Sequence, residues 1–138
     1  MIPSIIALFG EAKKGKIEVP YFCKDLVQLF TSLGQPPEDT HGLFFAVQTI
    51  LYGWPIIYFR VREEGISYQD YAYGLHLLRD YPSIKMKALF LPGVGSKELI
   101  EEGSDLCLAR QSLLIIRSAD FYDYLTAGQL NCRGNIFL

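Results

Sequence analysis

The stretch Gly42-Leu43-Phe44-Phe45-Ala46-Val47-Gln48-Thr49-Ile50-Leu51-Tyr52-Gly53-Trp54-Pro55-Ile56-Ile57-Tyr58-Phe59-Arg60-Val61 decides the fold class. Its first half, to Tyr52, is apolar nearly all round, as a helix covered on most sides must be. Gly53-Trp54-Pro55 ends that helix, because proline lacks an N–H and clashes with the preceding turn. Ile56 to Val61 is then rich in β-branched and aromatic residues, the composition of a central strand. A helix delivered straight into an apolar strand is the repeating join of an α/β fold. The uncharged run from Leu43 to Phe59 is broken by the same Gly and Pro and falls short of the roughly 20 apolar residues a membrane-spanning helix needs. The expectation is therefore no membrane span.

Upstream, Ser4 to Phe9 is a short continuous apolar run closed by Gly10, which suits a strand buried on both faces. Gly10 to Pro20 reads as a charged connection. Leu26, Leu29, Phe30 and Leu33 then mark one helix face within Lys24 to Leu33, and Gly34 with Pro36-Pro37 stops it. Glu38, Asp39 and Thr40 offer caps for the helix at Gly42. Downstream, Arg62-Glu63-Glu64-Gly65 closes the central strand. Ser67 and Asp70 then resemble a capping box for a helix with Tyr68, Tyr71, Ala72, Leu75 and Leu78 on one stripe. Lys87 to Leu91 is a third strand, Ser96 the N-cap of a helix over Lys97 to Leu108, and Leu113 to Ile116 a fourth strand. Ser118 or Asp120 caps a short helix from Phe121. The order β-α-α-β-α-β-α-β-α predicts one three-layer, Rossmann-like α/β domain over residues 1–126. Its sheet would have about four mostly parallel strands with helices on both faces, followed by a tail or packing extension over 127–138.

Of 138 residues, 13 are basic and 15 acidic, giving a net charge of −2, and half are apolar. That composition excludes a disordered chain and lacks the basic excess of a dedicated nucleic-acid binder. Cys23, Cys107 and Cys132 form no CxxC, and His41 and His76 cannot complete a zinc set with them, so no metal and no cofactor are predicted. Unpaired thiols fit a reducing, cytoplasmic setting. Cys23 has only Lys24 beside it to activate a nucleophile.

In open α/β sheets ligands sit beyond the carboxyl ends of the strands. The loops at that edge carry the candidate residues. Gly93-Val94-Gly95-Ser96 allows close backbone approach before a helix N-terminus, and Gly10 with Lys13 and Lys14 could add counter-charge, so Gly10, Lys13, Lys14, Gly93, Gly95 and Ser96 form a candidate phosphate site. Glu11, Glu63 and Asp120 are candidate acids or bases, provided that desolvation raises a carboxyl pKa. There is no GxxxxGK[ST] and no GxSxG. His41 draws notice because it precedes the buried helix. Nine tyrosines are too many to bury with every hydroxyl satisfied, and tyrosine serves interfaces well.

The segment from Gly42-Leu43-Phe44-Phe45-Ala46 to Tyr52-Gly53-Trp54-Pro55-Ile56-Ile57 resembles the nucleoside deoxyribosyltransferase-like Rossmann families. In those families a glycine opens a helix that leads to a Gly-x-Pro-Ile strand entry. The resemblance implies the same fold and a glutamate nucleophile one turn into the helix. Here that position is about Ala46, and the next carboxylate is Glu63. With no catalytic constellation in view, the chain reads as a non-catalytic cytoplasmic module acting through protein binding or self-association as a homodimer. The alternative is binding or processing of a nucleotide or sugar-phosphate at the sheet edge, in the manner of an N-glycosidase or deoxyribosyltransferase. That alternative requires its glycines, lysines and carboxylates to converge on one cleft.

Overall fold

Ile5–Gly10 (β1) is buried along its whole length, the environment its unbroken apolar composition demands. The computed structural model describes residues 4–127. Around β1 the chain runs through Pro20–Cys23 (β2), Leu26–Leu33 (α1), Gly42–Leu51 (α2), Ile56–Arg60 (β3), Tyr68–Asp80 (α3), Met86–Phe90 (β4), Lys97–Arg110 (α4), Leu113–Ile115 (β5) and Ser118–Ala127 (α5). The five strands lie in the order β2-β3-β1-β4-β5. β3, β1, β4 and β5 are parallel, and β2 runs antiparallel on the outside of β3. The fold is thus α/β with a mostly parallel sheet of five strands and five helices.

Alternation along the strands divides the core in two. Ala7, Phe9, Ile57, Phe59 and Leu89 pack with Tyr71, Leu75 and Leu78 of α3 and with Leu99, Ile100 and Leu106 of α4. Ile6, Leu8, Ile56, Tyr58 and Ala88 pack with Leu29 and Leu33 of α1 and Leu43, Ala46 and Ile50 of α2. The path from β1 to β3 goes to one side, and the path from β3 to β4 crosses back over β1. The chain therefore reverses direction between β1 and β4, where the loops at the carboxyl ends diverge.

The sequence reading differs from this arrangement in definite ways. It has no counterpart of β2, which sits in the segment read as connection and helix approach: Pro20-Tyr21-Phe22-Cys23 is too short to show alternation, and its proline weighs against a strand except at an edge. Ser67 and Ser96 stand at the N-cap positions of α3 and α4 as read, but their side chains make other bonds. Ser67 Oγ accepts from Glu63 N–H, and Asp70, buried, accepts from Arg62 N–H and pairs with the Arg62 guanidinium at 3.1 Å. Ser96 Oγ bonds Glu98, and no side-chain cap closes α4. The proposed 127–138 tail lies outside the described residues, apart from Ala127, which ends α5.

Candidate functional site

At the carboxyl end of β1 the backbone meets the start of α2 with no side chain between. A Cβ on Gly42 would lie 2.6 Å from Gly10 Cα and 2.8 Å from Phe9 O, so only glycine lets the helix come this close. The close approach brings the free N–H groups at the start of α2 within reach of the loop after β3. No side chain of its own caps α2; its N-cap is His41, and its first turn contains no acid. Glu64 fills the role from across the sheet edge. Its Oε1 accepts from His41 N–H at 2.9 Å, and its Oε2 from Gly42 N–H at 2.9 Å and Glu11 N–H at 3.0 Å. Glu11 reciprocates, its Oε2 accepting from Glu64 N–H at 3.0 Å. A carboxylate held by three backbone donors at a helix start satisfies both the orphan N–H groups and the positive end of the helix dipole.

The remaining loops join the same network. Gly65 N–H donates to Tyr71 Oη at 2.7 Å, and Gly65 lies so close to the Gly93 carbonyl that no side chain would fit between them. Gly93 N–H donates to Asp120 Oδ2 at 2.8 Å. Asp120, 3% exposed, also takes both prongs of Arg117, Nε at 2.8 Å and Nη2 at 2.9 Å. Arg117 Nη1 then reaches His41 Nε2 at 2.8 Å; a guanidinium only donates, so this imidazole nitrogen is the acceptor. The Asp120 carboxylate raises the pKa of Arg117 further, which keeps it charged. Burial, with the Glu64 charge adding to it, pushes the phenols of Tyr58 and Tyr71 well above the ordinary tyrosine range. Tyr58 Oη donates to the Glu11 carbonyl at 3.0 Å.

The structure therefore brings Gly10, Glu11, Gly93 and Asp120 into one hydrogen-bonded edge, together with Glu64 and Arg117 of the same edge loops and His41 at the start of α2. The other candidates make different contacts. Lys13 and Lys14 are exposed, with their stems against Gly34 at the end of α1. Gly95 packs on Asp120 and Asp123 of α5, and Ser96 is engaged with Glu98. Glu63 is exposed. The one sequence signal for Glu64 is the bare start of α2, where a helix without its own acceptor needs one from another segment. Both oxygens of Glu64 and both of Asp120 accept hydrogen bonds, so the arrangement fixes the loops to one another. Among the described residues no group of three or more His, Cys, Asp or Glu is placed to hold a metal ion.

Two other regions complete the picture. A cleft of about 430 Å³ opens at the opposite, amino-terminal edge of the parallel strands, lined by Ile5, Phe22, Cys23, Pro55, Ile56 and Ile84 among others. Cys23 is 2% exposed there, and burial together with Asp25 raises its pKa, the reverse of what a nucleophile needs. The second region is an apolar strip. On the face covered by α1 and α2, no helix of the described residues lies over β5. Phe44 packs on Phe45 (ring centroids 5.6 Å apart), Phe45 on Phe90 (4.6 Å), and Phe90 pairs in register with Ile115 as Ala88 does with Leu113. Leu113 is 66% exposed, Phe44 51% and Ile115 40%.

Comparison of the chain with protein-family models, curated proteins and solved structures gave no match. No helix among the described residues is long and apolar enough to cross a membrane.

Proposed function

We propose that the chain is a Rossmann-like, three-layer module of the cytoplasm that works by binding another protein surface and not by catalysis. The observation that carries this reading is the strip Phe44–Phe45–Phe90–Ile115–Leu113, an apolar surface that no helix or strand of the described residues covers, running from a helix across two strands to the sheet edge at β5. Contiguous apolar surface of this kind marks interaction sites. The exposed tyrosines Tyr52, Tyr68, Tyr81 and Tyr122 add amphipathic surface elsewhere. The engaged carboxylates at the sheet edge support the non-catalytic half of the proposal. The test is the double variant Phe44→Ser/Leu113→Ser in dilute solution. A surface reserved for a partner leaves the unfolding free energy of the dilute protein within about 1 kcal/mol of the parent. A loss well above 1 kcal/mol means that the strip is packed within the monomer, and the reading fails.

The four-loop convergence at the point where the strand order reverses favours one second reading, a small-molecule site there, the activity class that the deoxyribosyltransferase-like resemblance would imply. Lys13 and Lys14 are exposed beside Gly34, Ser96 is bonded to Glu98, and the carboxylates of the convergence outnumber its cations, so a neutral ligand suits it better than a nucleotide or sugar-phosphate. Thermal shift against matched neutral and phosphorylated sugars distinguishes these: stabilisation by the phosphorylated member alone contradicts the charge argument.

A further inference from the structure

We infer that a second copy of this chain joins at the β5 end of the strip, edge to edge through antiparallel β5 strands across a two-fold axis at Leu114. This rests on the binding reading above and specifies its partner. The Ile115 carbonyl accepts from Leu91 N–H, so Ile115 faces β4. By alternation Leu113 does too, which turns the N–H and C=O of Leu114 toward the open edge. Two copies related by a two-fold axis exchange both of these groups, Leu114 with its mate. Leu113 then stands opposite Ile115 of the other copy, and Ile115 opposite Leu113, on the uncovered face. The strand is self-complementary in shape and in charge: Leu113-Leu114-Ile115 carries none, and the flanking Arg117 would stand opposite the neutral Gln111.

The two sheet edges differ in how they discourage pairing. β2 carries Pro20 and is followed by Lys24 and Asp25, devices that blunt an edge. β5 has no proline and no charge. The strand is also held rigid for docking: Ser112 Oγ bonds Met86 O at 2.7 Å at one end, and Arg117 is locked to Asp120 at the other. Three residues and their flanking side chains make a contact far smaller than the roughly 20–30 residues a side of a standard interface, so the association is weak, reversible and concentration-dependent.

Sedimentation equilibrium and light scattering of the full chain across micromolar to millimolar concentrations test this. The expected result is a monomer–dimer equilibrium that Leu113→Lys shifts to monomer, with the unfolding midpoint at dilution unchanged. In a Cys132→Ser background, mixing Leu113→Cys chains with Ile115→Cys chains is expected to give disulfide-linked dimers in preference to either chain alone, because only the mixed pair places the sulfurs directly opposite. A monomer at every concentration overturns the inference, as does a dimer indifferent to Leu113→Lys or without the mixed-pair preference. A persistent monomer whose stability ignores Leu113→Lys overturns self-association alone and leaves a different protein as the partner. A monomer destabilised by Leu113→Lys shows that the chain's own segment, such as residues 128–138, covers the strip, and both readings fall.

Discussion

Glu64 is one of two adjacent glutamates, and the structure gives the two opposite predicted costs. Replacing Glu64 by Ala strands three backbone donors, the N–H groups of Glu11, His41 and Gly42, and removes the negative charge from the start of α2. A hydrogen bond to a charged acceptor contributes about 1.5–3 kcal/mol, and the three share one half-buried group that water partly replaces, so we expect a loss of about 3 kcal/mol. Part of that, about 0.3–1 kcal/mol, is the helix-dipole term. Glu64→Gln keeps the shape but turns an N–H₂ toward N–H donors and is expected to lose about 2 kcal/mol. Glu63→Ala, exposed, should stay within about 0.5 kcal/mol. Urea unfolding at pH 7 measures all three, and for a chain of this size the Glu64→Ala change corresponds to roughly 10 °C in Tm. Equal, small effects for Glu63→Ala and Glu64→Ala would refute the claim that Glu64 holds the sheet edge together.

Gly42→Ala forces a Cβ to 2.6 Å from Gly10 Cα, and since backbone faces backbone we expect a loss of about 3 kcal/mol or more. Gly53→Ala, with open space but φ 92°, should lose only about 1–2 kcal/mol in the same urea assay. Asp120→Asn leaves Arg117 and Gly93 N–H without their anionic partner and is expected to cost about 2–3 kcal/mol, with a fall in hydrogen-exchange protection of the Gly93 amide. Alkaline stability follows from burial: Tyr71 is raised above its ordinary value and Cys107 is pushed up to about 12, in both cases first by desolvation. The unfolded chain loses these protons from roughly pH 8.5–10 upward while the folded chain retains them. The contribution is therefore complete below that range and declines as pH rises, by at most about 1.4 kcal/mol per pH unit for each group. Urea titrations at pH 8 and 10.5 should show the decline, reduced in Tyr71→Phe; stability that rises with pH would contradict it.

The four parallel strands and the helices between them were legible because burial leaves direct marks: continuous apolar runs for β1 and β3, the Leu26–Leu29–Leu33 stripe for α1, and Gly53-Trp54-Pro55 at the α2 boundary. β2 was not, because an antiparallel edge strand of four residues starting at a proline draws its identity from its partner β3 and not from its own pattern. The sheet edge was half legible. Topology alone named the loops and so captured Gly10, Glu11, Gly93 and Asp120. Which of Glu63 and Glu64 turns inward depends on the two residues between β3 and the Gly65–Gly93 contact, a geometry with no local signature. Ser67 and Ser96 hold the N-cap positions read for them, but their hydroxyls bond Glu63 N–H and Glu98 and not the helix donors they would otherwise satisfy.

The two halves of the proposed function meet at β5. The Arg117–Asp120–Gly93 bonds tie the exit of that strand to the loop after β4, and His41 ties the same arginine to the start of α2. α2 in turn carries Phe44 and Phe45, the far end of the apolar strip. The polar edge and the apolar face thus share a frame: the carboxylates at the loop ends fix the relative positions of the helix and the strand that border the exposed strip. A surface made of separate elements presents one shape to a partner only if those elements are held together, and hydrogen bonds at the loop ends do this without covering the strip. Asp120→Asn should then weaken any association through β5 more than its own distance from the strip would suggest. A variant that loses stability while associating normally would separate the two and assign the polar edge to folding alone.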